Sequence, residues 1–196
     1  LVDVFGGMDD LRVGLLRSVG EASDRFREDP LRMMRMLRFG PAVNREIDSG
    51  TFAAAVELRE SLGSVSAERV RDELGKILLC PGAAEAFRIF QSSGMMEVLI
   101  PELIPMVEFE QNRYHTQDVF GHTLSVVSRC PLDSTMRLAA LFHDSGKPHT
   151  LSVDEDGERH FYQHEGVSES IAKNVMRRLH FPHDDIETVA LLVAHH

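Results

Sequence analysis

The 196-residue chain is poor in cysteine, with Cys80 and Cys130 as its only two. Each precedes a proline, and the pair has no spacing typical of a metal site or a disulfide framework. Disulfide-dense proteins belong to oxidising compartments, so this usage predicts a reduced, cytoplasmic setting.

Long hydrophobic runs and a secretory leader are also missing. No apolar stretch approaches the ~20 residues that a membrane-spanning helix needs, and no signal peptide is visible. We therefore expect no membrane partner. The chain starts at Leu1 without a methionine and stops at His196 inside a helical pattern, which predicts that it is a fragment.

Excess positive charge is absent as well. The net charge of −10 argues against a chain that coats nucleic acid by bulk charge. Its distribution is uneven, because residues 1–79 hold 12 basic against 14 acidic side chains and residues 80–196 hold 9 against 17. Between Arg25 and Arg38 there are five arginines and two acids. A polyanion could bind at this local basic stretch.

The most informative segment is RLAALFHDSGK, residues 137–147. Its apolar residues have the i, i+3, i+4 spacing of a buried helix, which Ser-Gly-Lys-Pro ends just after His143 and Asp144. An imidazole and a carboxylate at the buried end of a core helix favour a metal site. The alternative is a His–Asp hydrogen bond that only completes the helix.

The other histidines favour the metal interpretation. All ten lie at or after position 115, and His122, His164 and the pair His195 and His196 stand near helix signals. Imidazoles from separate helices can meet at one ion in a helical bundle. Vicinal residues on a helix point about 100° apart, so at most one of His195 and His196 is expected to face the site.

These residues resemble a known family. His122, then His143 and Asp144, then His164 look like the HD superfamily of metal-dependent phosphohydrolases, whose fold is all-helical. The resemblance implies a divalent ion (Mg, Mn, Ni or Co) held by His122, His143, Asp144 and His164. In that superfamily a later aspartate completes the shell, and this chain stops before any such residue. Either the fragment lacks a ligand, or His195 or His196 serves, and we assign His195.

Catalysis in such a site would involve His143, Asp144 and Lys147. Lys147 follows the His-Asp pair and could neutralise a bound phosphate. A solvated loop lysine is the alternative.

A second informative stretch is RFREDPLRMMRMLRF, residues 25–39. Asp29 before Pro30 predicts a helix start, with Asp29 as N-cap. A carboxylate accepts and a guanidinium donates, so Asp29 and Arg32 could imitate the Watson–Crick edge of a base. The alternative is an N-cap, a salt bridge and a solvated arginine face. An apolar stripe is predicted at Leu31, Met34 and Leu37, and arginines occupy another face at Arg32, Arg35 and Arg38.

Six ordered motifs resemble the bacterial class II tRNA nucleotidyltransferase and poly(A) polymerase family over essentially the whole chain. They are DVFGGMDDL, EDPLR followed by MMRMLRF, EID, SAERVRDEL, FEQNRYHTQDVFGHTL and the His-Asp helix. The resemblance implies that Asp29 and Arg32 read the incoming CTP or ATP while Glu28 orients Arg32. We add Arg35, on the same arginine face, to the nucleotide-binding set. The implied partner is the 3′ end of tRNA or another RNA.

The family's transfer reaction needs a Gly-Ser phosphate loop and Asp-x-Asp metal carboxylates on the sheet of its catalytic head, and neither of these head elements is present, so this chain should not add nucleotides itself. The predicted fold is mainly α, with a multi-helical neck or body followed by an all-helical HD domain. We expect a remnant strand at Leu1–Phe5 and a small hairpin around Asp154-Glu155-Asp156-Gly157. The predicted segments are 1–24, the end of the family's catalytic head; 25–108, the RNA-binding neck; and 109–196, the truncated HD domain.

Two other interpretations remain open. The chain could be a stand-alone HD nucleotide phosphohydrolase, although the EDPLR stretch speaks against this. It could also be a non-catalytic, RNA-binding helical module with structural histidines. The sequence does not distinguish CCA addition from poly(A) addition, and an oligomer is compatible with it.

Overall fold

The computed structural model describes residues 3–110 and 117–196. The chain forms two compact units, Leu1–Leu99 and Ile100–His196, and both are mainly helical, which confirms the predicted fold class. The predicted division into three functional segments, 1–24, 25–108 and 109–196, is finer than this division into two units, and it stays a prediction. Residues 111–116, inside the motif FEQNRYHTQDVFGHTL, lie outside the described residues.

The first unit consists of short helices joined by tight turns. Its α-helices are α1 (Gly7–Val13), α2 (Ala22–Glu28), α3 (Arg32–Phe39), α4 (Ser49–Leu58), α5 (Ala67–Leu78), α6 (Ala83–Ser92) and α7 (Met95–Leu99). Its 3₁₀ helices are Pro41–Val43 and Arg59–Ser64. Two short strands, β1 (Leu15–Leu16) and β2 (Glu46–Ile47), pair in parallel.

The predicted strand at Leu1–Phe5 is wrong for residues 3–5, the part of it that the structure describes. A lone strand has no neighbour with which to pair. The Asp3 carboxylate instead accepts hydrogen bonds from the backbone N–H groups of Gly7 (3.0 Å) and Met8 (2.8 Å) at the start of α1. The first strand of the described chain is β1, which begins only at Leu15.

The core of the first unit includes the predicted apolar stripe of α3. Leu31, Met34 and Leu37 on the α3 segment are all buried, as are Val70, Leu74, Ile77 and Leu78 on α5. The two helices pack together. Arg38 of α3 forms an ion pair with Glu73 of α5, whose side chain is only 2% exposed. This pair joins the two helices at a desolvated position.

The second unit is a helical bundle with one hairpin. Its α-helices are α8 (Val119–Arg129), α9 (Ser134–Phe142), α10 (His164–Arg178) and α11 (His183–Ala194). The 3₁₀ helices are Pro101–Met106 and Lys147–His149, and the strands are β3 (Ser152–Val153) and β4 (Arg159–His160). The strands pair antiparallel around Gly157, at φ +78°, which confirms the predicted hairpin.

Aspartate side chains fix where the bundle helices begin. Asp118 accepts from the N–H of Gly121 (2.7 Å) at the start of α8, and Asp133 accepts from the N–H of Met136 (2.9 Å) at the start of α9. A capping carboxylate satisfies an N–H that the helix leaves unpaired. These capping hydrogen bonds therefore set where α8 and α9 begin.

The first turn of α10 lies directly on the turn after the His-Asp pair. A Cβ added to Gly146 would lie 2.3 Å from the carbonyl oxygen of His164. The Gly146 N–H donates to the hydroxyl of Ser168 (2.8 Å), which is fully buried. Glycine at this position therefore lets α10 bring His164 close to Asp144.

Among the described helices, we find none that is both long enough and apolar enough to cross a membrane.

We expect Glu73→Ala to lower the free energy of unfolding by about 3 kcal/mol, because the substitution leaves the half-buried Arg38 without its carboxylate. Urea denaturation followed by circular dichroism measures this. Asp72→Ala is the matched control, since it breaks an exposed pair with Arg71 on the same helix and should cost under about 1 kcal/mol. Equal losses for both variants would contradict the role given to Glu73.

We expect Gly146→Ala to lower the free energy of unfolding by about 2 kcal/mol, because the new methyl group overlaps the backbone of α10. Gly166→Ala, on α10 itself, is the control. A Cβ there meets nothing within 4 Å, and alanine favours a helix interior, so stability should stay equal or rise by up to about 1 kcal/mol. Thermal and urea unfolding of both variants give the comparison, and a fully stable Gly146→Ala protein would refute the close approach.

Candidate metal centre and arginine cavity

Asp144 is the centre of a cluster of basic side chains in the second unit. It lies just after α9 and its side chain is 2% exposed. Its Oδ2 faces His143 Nε2 (3.2 Å) and His122 Nε2 (3.8 Å). Its Oδ1 faces His164 Nε2 (3.4 Å) and His196 Nε2 (3.7 Å). Each oxygen of one carboxylate therefore faces two imidazoles.

Backbone carbonyl groups orient three of these rings. Nδ1 of His143 lies 2.8 Å from the carbonyl oxygen of Ala140, and Nδ1 of His164 lies 2.8 Å from that of Phe161. His196 makes the same contact with Val193 at 2.7 Å. Because a carbonyl oxygen only accepts, Nδ1 carries the proton, and in a neutral ring Nε2 offers its lone pair toward Asp144. Metal-binding histidines are oriented in this way.

The cluster has the donor set and the geometry of a divalent-cation site. Carboxylate oxygens and unprotonated Nε2 atoms are both acceptors, so contacts between them need a proton or a cation. Nε2 of His164 is buried and has no hydrogen-bond partner. The ligand atoms form two groups, each within 4.8 Å and both including Asp144: one with His122 and His143, the other with His164 and His196. These residues fit one or two ions.

Lys147 provides a fixed positive charge beside the carboxylate. Its Nζ lies 2.8 Å from Asp144 Oδ2, and its side chain is only 13% exposed, unlike that of a solvated loop lysine. Burial alone would raise the pKa of the Asp144 carboxyl. The hydrogen bonds and charges of His143 and Lys147 outweigh burial and hold that pKa well below its usual range.

His196, and not the assigned His195, faces Asp144. The Nδ1 of His195 contacts the carbonyl oxygen of Leu191 (2.9 Å), and the residue is exposed. The buried positions of α11 explain the difference. They are Ile186, Val189, Ala190 and Val193. Three residues after Val193, His196 continues this face, and His195 does not. The helix period could have selected His196 from the sequence.

The first unit brings the predicted nucleotide-binding residues Glu28 and Arg32 into contact. Glu28 Oε2 lies 2.9 Å from Arg32 Nη1, and its Oε1 lies 2.9 Å from Arg25 Nη2. The same Arg32 nitrogen donates to the carbonyl oxygen of Arg25 (3.2 Å). Glu28 and the backbone of α2 therefore hold the Arg32 guanidinium in a defined orientation.

Asp29 has a different partner from the one that the spacing suggested. Both of its carboxylate oxygens lie 3.0 Å from Nη2 of Arg69 on α5. Asp29 is also not an N-cap next to the helix, because Pro30 and Leu31 form a turn and α3 begins at Arg32. Its Oδ1 accepts from the N–H of Leu31 (3.2 Å) instead. Arg69 lies forty residues from Asp29 along the chain, so local spacing does not predict this pair.

A cavity of about 440 Å³ opens beside α2 and α3. Four arginines line it, Arg17, Arg25, Arg32 and Arg35, together with apolar residues that include Phe26 and Phe39. Neither Glu28 nor Asp29 is part of its wall. An electropositive cavity with aromatic walls suits an anionic, partly planar ligand.

Two family models match adjacent parts of the chain. Residues 46–106 match the family described as the probable RNA and SrmB-binding site of polymerase A. Residues 119–196 match the HD domain family. This matched segment contains Asp144 and the four histidines that face it.

Curated relatives match nearly the full chain. An A-adding tRNA nucleotidyltransferase of Deinococcus radiodurans is 34% identical over 100% of this chain and 47% of its own length. A CC-adding tRNA nucleotidyltransferase of Thermus thermophilus is 35% identical over 97% of this chain and 46% of its own length. The chain therefore spans about half the length of these relatives.

A solved structure agrees with these matches. The crystal structure of the Bacillus stearothermophilus CCA-adding enzyme in complex with CTP aligns with a TM-score of 0.61 and 25% identity. The alignment covers 98% of this chain and 41% of that one. The chain carries the EDPLR stretch, the RNA-binding match and the HD match in this order. The tRNA nucleotidyltransferases named above align with nearly all of it. The chain belongs to the bacterial tRNA nucleotidyltransferase and poly(A) polymerase family.

Proposed function

We propose that this chain is the nucleotide-reading and HD-bearing part of a cytoplasmic tRNA nucleotidyltransferase that acts on tRNA 3′ ends. The relatives that span the chain carry that activity in their names. The chain spans about half the length of such a protein, and it does not include the catalytic head whose Gly-Ser loop and Asp-x-Asp carboxylates the transfer reaction needs. Its own contribution would be to read the nucleotide, bind RNA and hold the HD site.

Nucleotide reading is assigned to Glu28, Asp29, Arg32 and Arg35. The fixed Glu28–Arg32 contact supports this role, since a guanidinium held in one plane can donate to a base edge without losing further side-chain entropy. Arg35 borders the arginine cavity and is exposed. Asp29 would read a base of CTP or ATP only when Arg69 releases one of its oxygens.

The second assignment is a metal-dependent phosphohydrolase at Asp144. The observation that carries it is the convergence of four Nε2 atoms on the two oxygens of one buried carboxylate. His122, His143 and Asp144 would hold a divalent ion such as Mg, Mn, Ni or Co, and Asp144, His164 and His196 could hold a second. A bound ion supplies Lewis acidity and a more acidic water.

The protein side chains have separate tasks in this proposal. Asp144 provides the negative charge that the cations balance, and the backbone contacts of His143 and His164 keep their Nε2 atoms pointed inward. Lys147 would move its ammonium group from Asp144 to a phosphate oxygen of the substrate, which would be a 2′-phosphate or a 2′,3′-cyclic phosphate. His143, Asp144 and Lys147 form the proposed catalytic set.

The stand-alone phosphohydrolase remains the second candidate, and the Asp144 cluster alone favours it. A purely structural role for the histidines would leave the unpartnered Nε2 of His164 unexplained.

To test the phosphohydrolase, we would assay the chain with a generic phosphodiester after removing and restoring divalent ions. We expect activity only with metal, and Asp144→Asn should lower kcat/KM by on the order of 100-fold or more. Equilibrium dialysis should show a matching loss of bound metal. His183→Ala is the control, because His183 is exposed at the start of α11. A chain that binds no ion and hydrolyses nothing would leave only the RNA-binding module.

To test nucleotide reading, we would measure CTP against UTP incorporation by the complete nucleotidyltransferase. Asp29→Ala should lower the preference roughly 10- to 100-fold, because a lost pair of base-edge hydrogen bonds costs about 1–3 kcal/mol. Asp24→Ala, which removes an exposed carboxylate paired with Arg27 on α2, should leave the preference intact. An Asp29→Ala enzyme that still rejects UTP would remove Asp29 from the proposed set.

A further inference from the structure

The hairpin carries a stacked aromatic pair at the base of α10. The rings of His160 and Tyr162 lie 5.2 Å apart between centroids, with 10° between their planes. His160 Nε2 contacts Asp154 Oδ2 at 2.8 Å across the turn, and this hydrogen bond is the largest cause of the lowered pKa of Asp154. The carboxylate holds the imidazole in place, and the imidazole supports one face of the tyrosine.

The Tyr162 ring is largely exposed. Its residue is 70% exposed, so the face opposite His160 is open to solvent. A tyrosine that is free to rotate loses side-chain entropy when a planar ligand stacks on it. A tyrosine already held parallel to a neighbour loses less, and nucleobases stack on such rings whatever their identity.

Phe161 connects this pair to the metal centre. Its carbonyl oxygen holds Nδ1 of His164 at 2.8 Å, and its ring centroid lies 5.8 Å from Nζ of Lys147. Tyr162 is the next residue, and adjacent Cα atoms are about 3.8 Å apart. The stacked pair is therefore linked through Phe161 to two side chains of the Asp144 cluster, His164 and Lys147.

Two polar side chains of the hairpin, Arg159 and Asp154, are already engaged in other contacts. The Arg159 guanidinium donates to the carbonyl oxygen of Glu110 (2.6 Å) and lies 3.5 Å from the Glu110 carboxylate. Asp154 is already bound to His160 and to the N–H groups of Asp156 and Glu158. A ligand here would be held through its ring face and not through base-specific hydrogen bonds.

We propose that Tyr162 stacks on the nucleobase of a ribonucleotide whose phosphate lies at the Asp144 cluster. This makes Tyr162 a specificity-determining residue, which selects nucleoside phosphoesters over small phosphoesters with little preference among bases. The inference rests on the proposed phosphohydrolase and names the substrate class of that site.

The test compares kcat/KM for adenosine 2′-monophosphate, for a short RNA that ends in a 2′-phosphate, and for β-glycerol phosphate. Tyr162→Ala should lower the selectivity for the mononucleotide over β-glycerol phosphate about tenfold, through KM. Tyr162→Phe keeps the ring and should retain the selectivity. Val153→Ala, an exposed change on β3, controls for general damage to the hairpin.

Each outcome decides the proposal. Equal losses on the mononucleotide and the RNA support stacking of the reacting nucleotide. A loss on the RNA alone overturns the proposal, because the stacked base would then belong to another nucleotide. Unchanged selectivity of Tyr162→Ala, or a loss in Tyr162→Phe as large as in Tyr162→Ala, overturns it as well.

A binding measurement separates this inference from the proposed hydrolysis. The chain has no tryptophan and two tyrosines, so Tyr114→Phe leaves Tyr162 as the one tyrosine fluorophore. Adenosine 2′-monophosphate, added without metal, should quench this emission, and ribose 5-phosphate should not. Quenching without hydrolysis of any substrate would refute the phosphohydrolase and support base stacking on Tyr162. Hydrolysis without quenching would support the phosphohydrolase and refute base stacking on Tyr162.

Discussion

The second unit depends on one electrostatic constraint, the burial of a single carboxylate. Asp144 is 2% exposed, and desolvation alone would favour its neutral form. The hydrogen bonds and charges of His143 and Lys147 keep it ionised, and the Nε2 atoms of His122, His164 and His196 lie within 3.8 Å of its oxygens. These groups come from different parts of the bundle, so the ionised Asp144 favours the packing that brings them together. The same packing gathers the side chains that we propose as metal ligands.

Charge in the first unit is organised differently, through pairs that cross between helices. Glu73 of α5 neutralises Arg38, and Arg69 of the same helix holds both oxygens of Asp29. α5, which lies inside the segment 46–106 of the RNA-binding match, therefore pairs with both Arg38 of α3 and Asp29 of the EDPLR stretch. Arg35 forms no ion pair in the part of the chain that the structure describes, and it faces the arginine cavity.

The sequence predicted what depends on local pattern. Helix period located the buried stripe of α3, and the Asp-Gly turn located the hairpin. The His-Asp segment marked the centre of the second unit. The sequence did not predict contacts between distant residues, such as Asp29 with Arg69 and Arg38 with Glu73, because no spacing rule links residues so far apart. The structure brings His196, and not the assigned His195, beside Asp144, and the period of α11 already favoured His196. The ligand, catalytic and nucleotide-binding roles stay predictions.

The parallel pair of β1 and β2 has a consequence for the arginine helices. Leu15 and Leu16 pair with Glu46 and Ile47, and the contact of the Ser18 N–H with the Thr51 hydroxyl (3.0 Å) extends this junction. The segment between the two strands, which includes α2 and α3, is therefore held together at its two ends. Closing the loop restricts the conformations of its interior. The pairing of β1 with β2 therefore limits how far Arg25, Arg32 and Arg35 can move relative to one another.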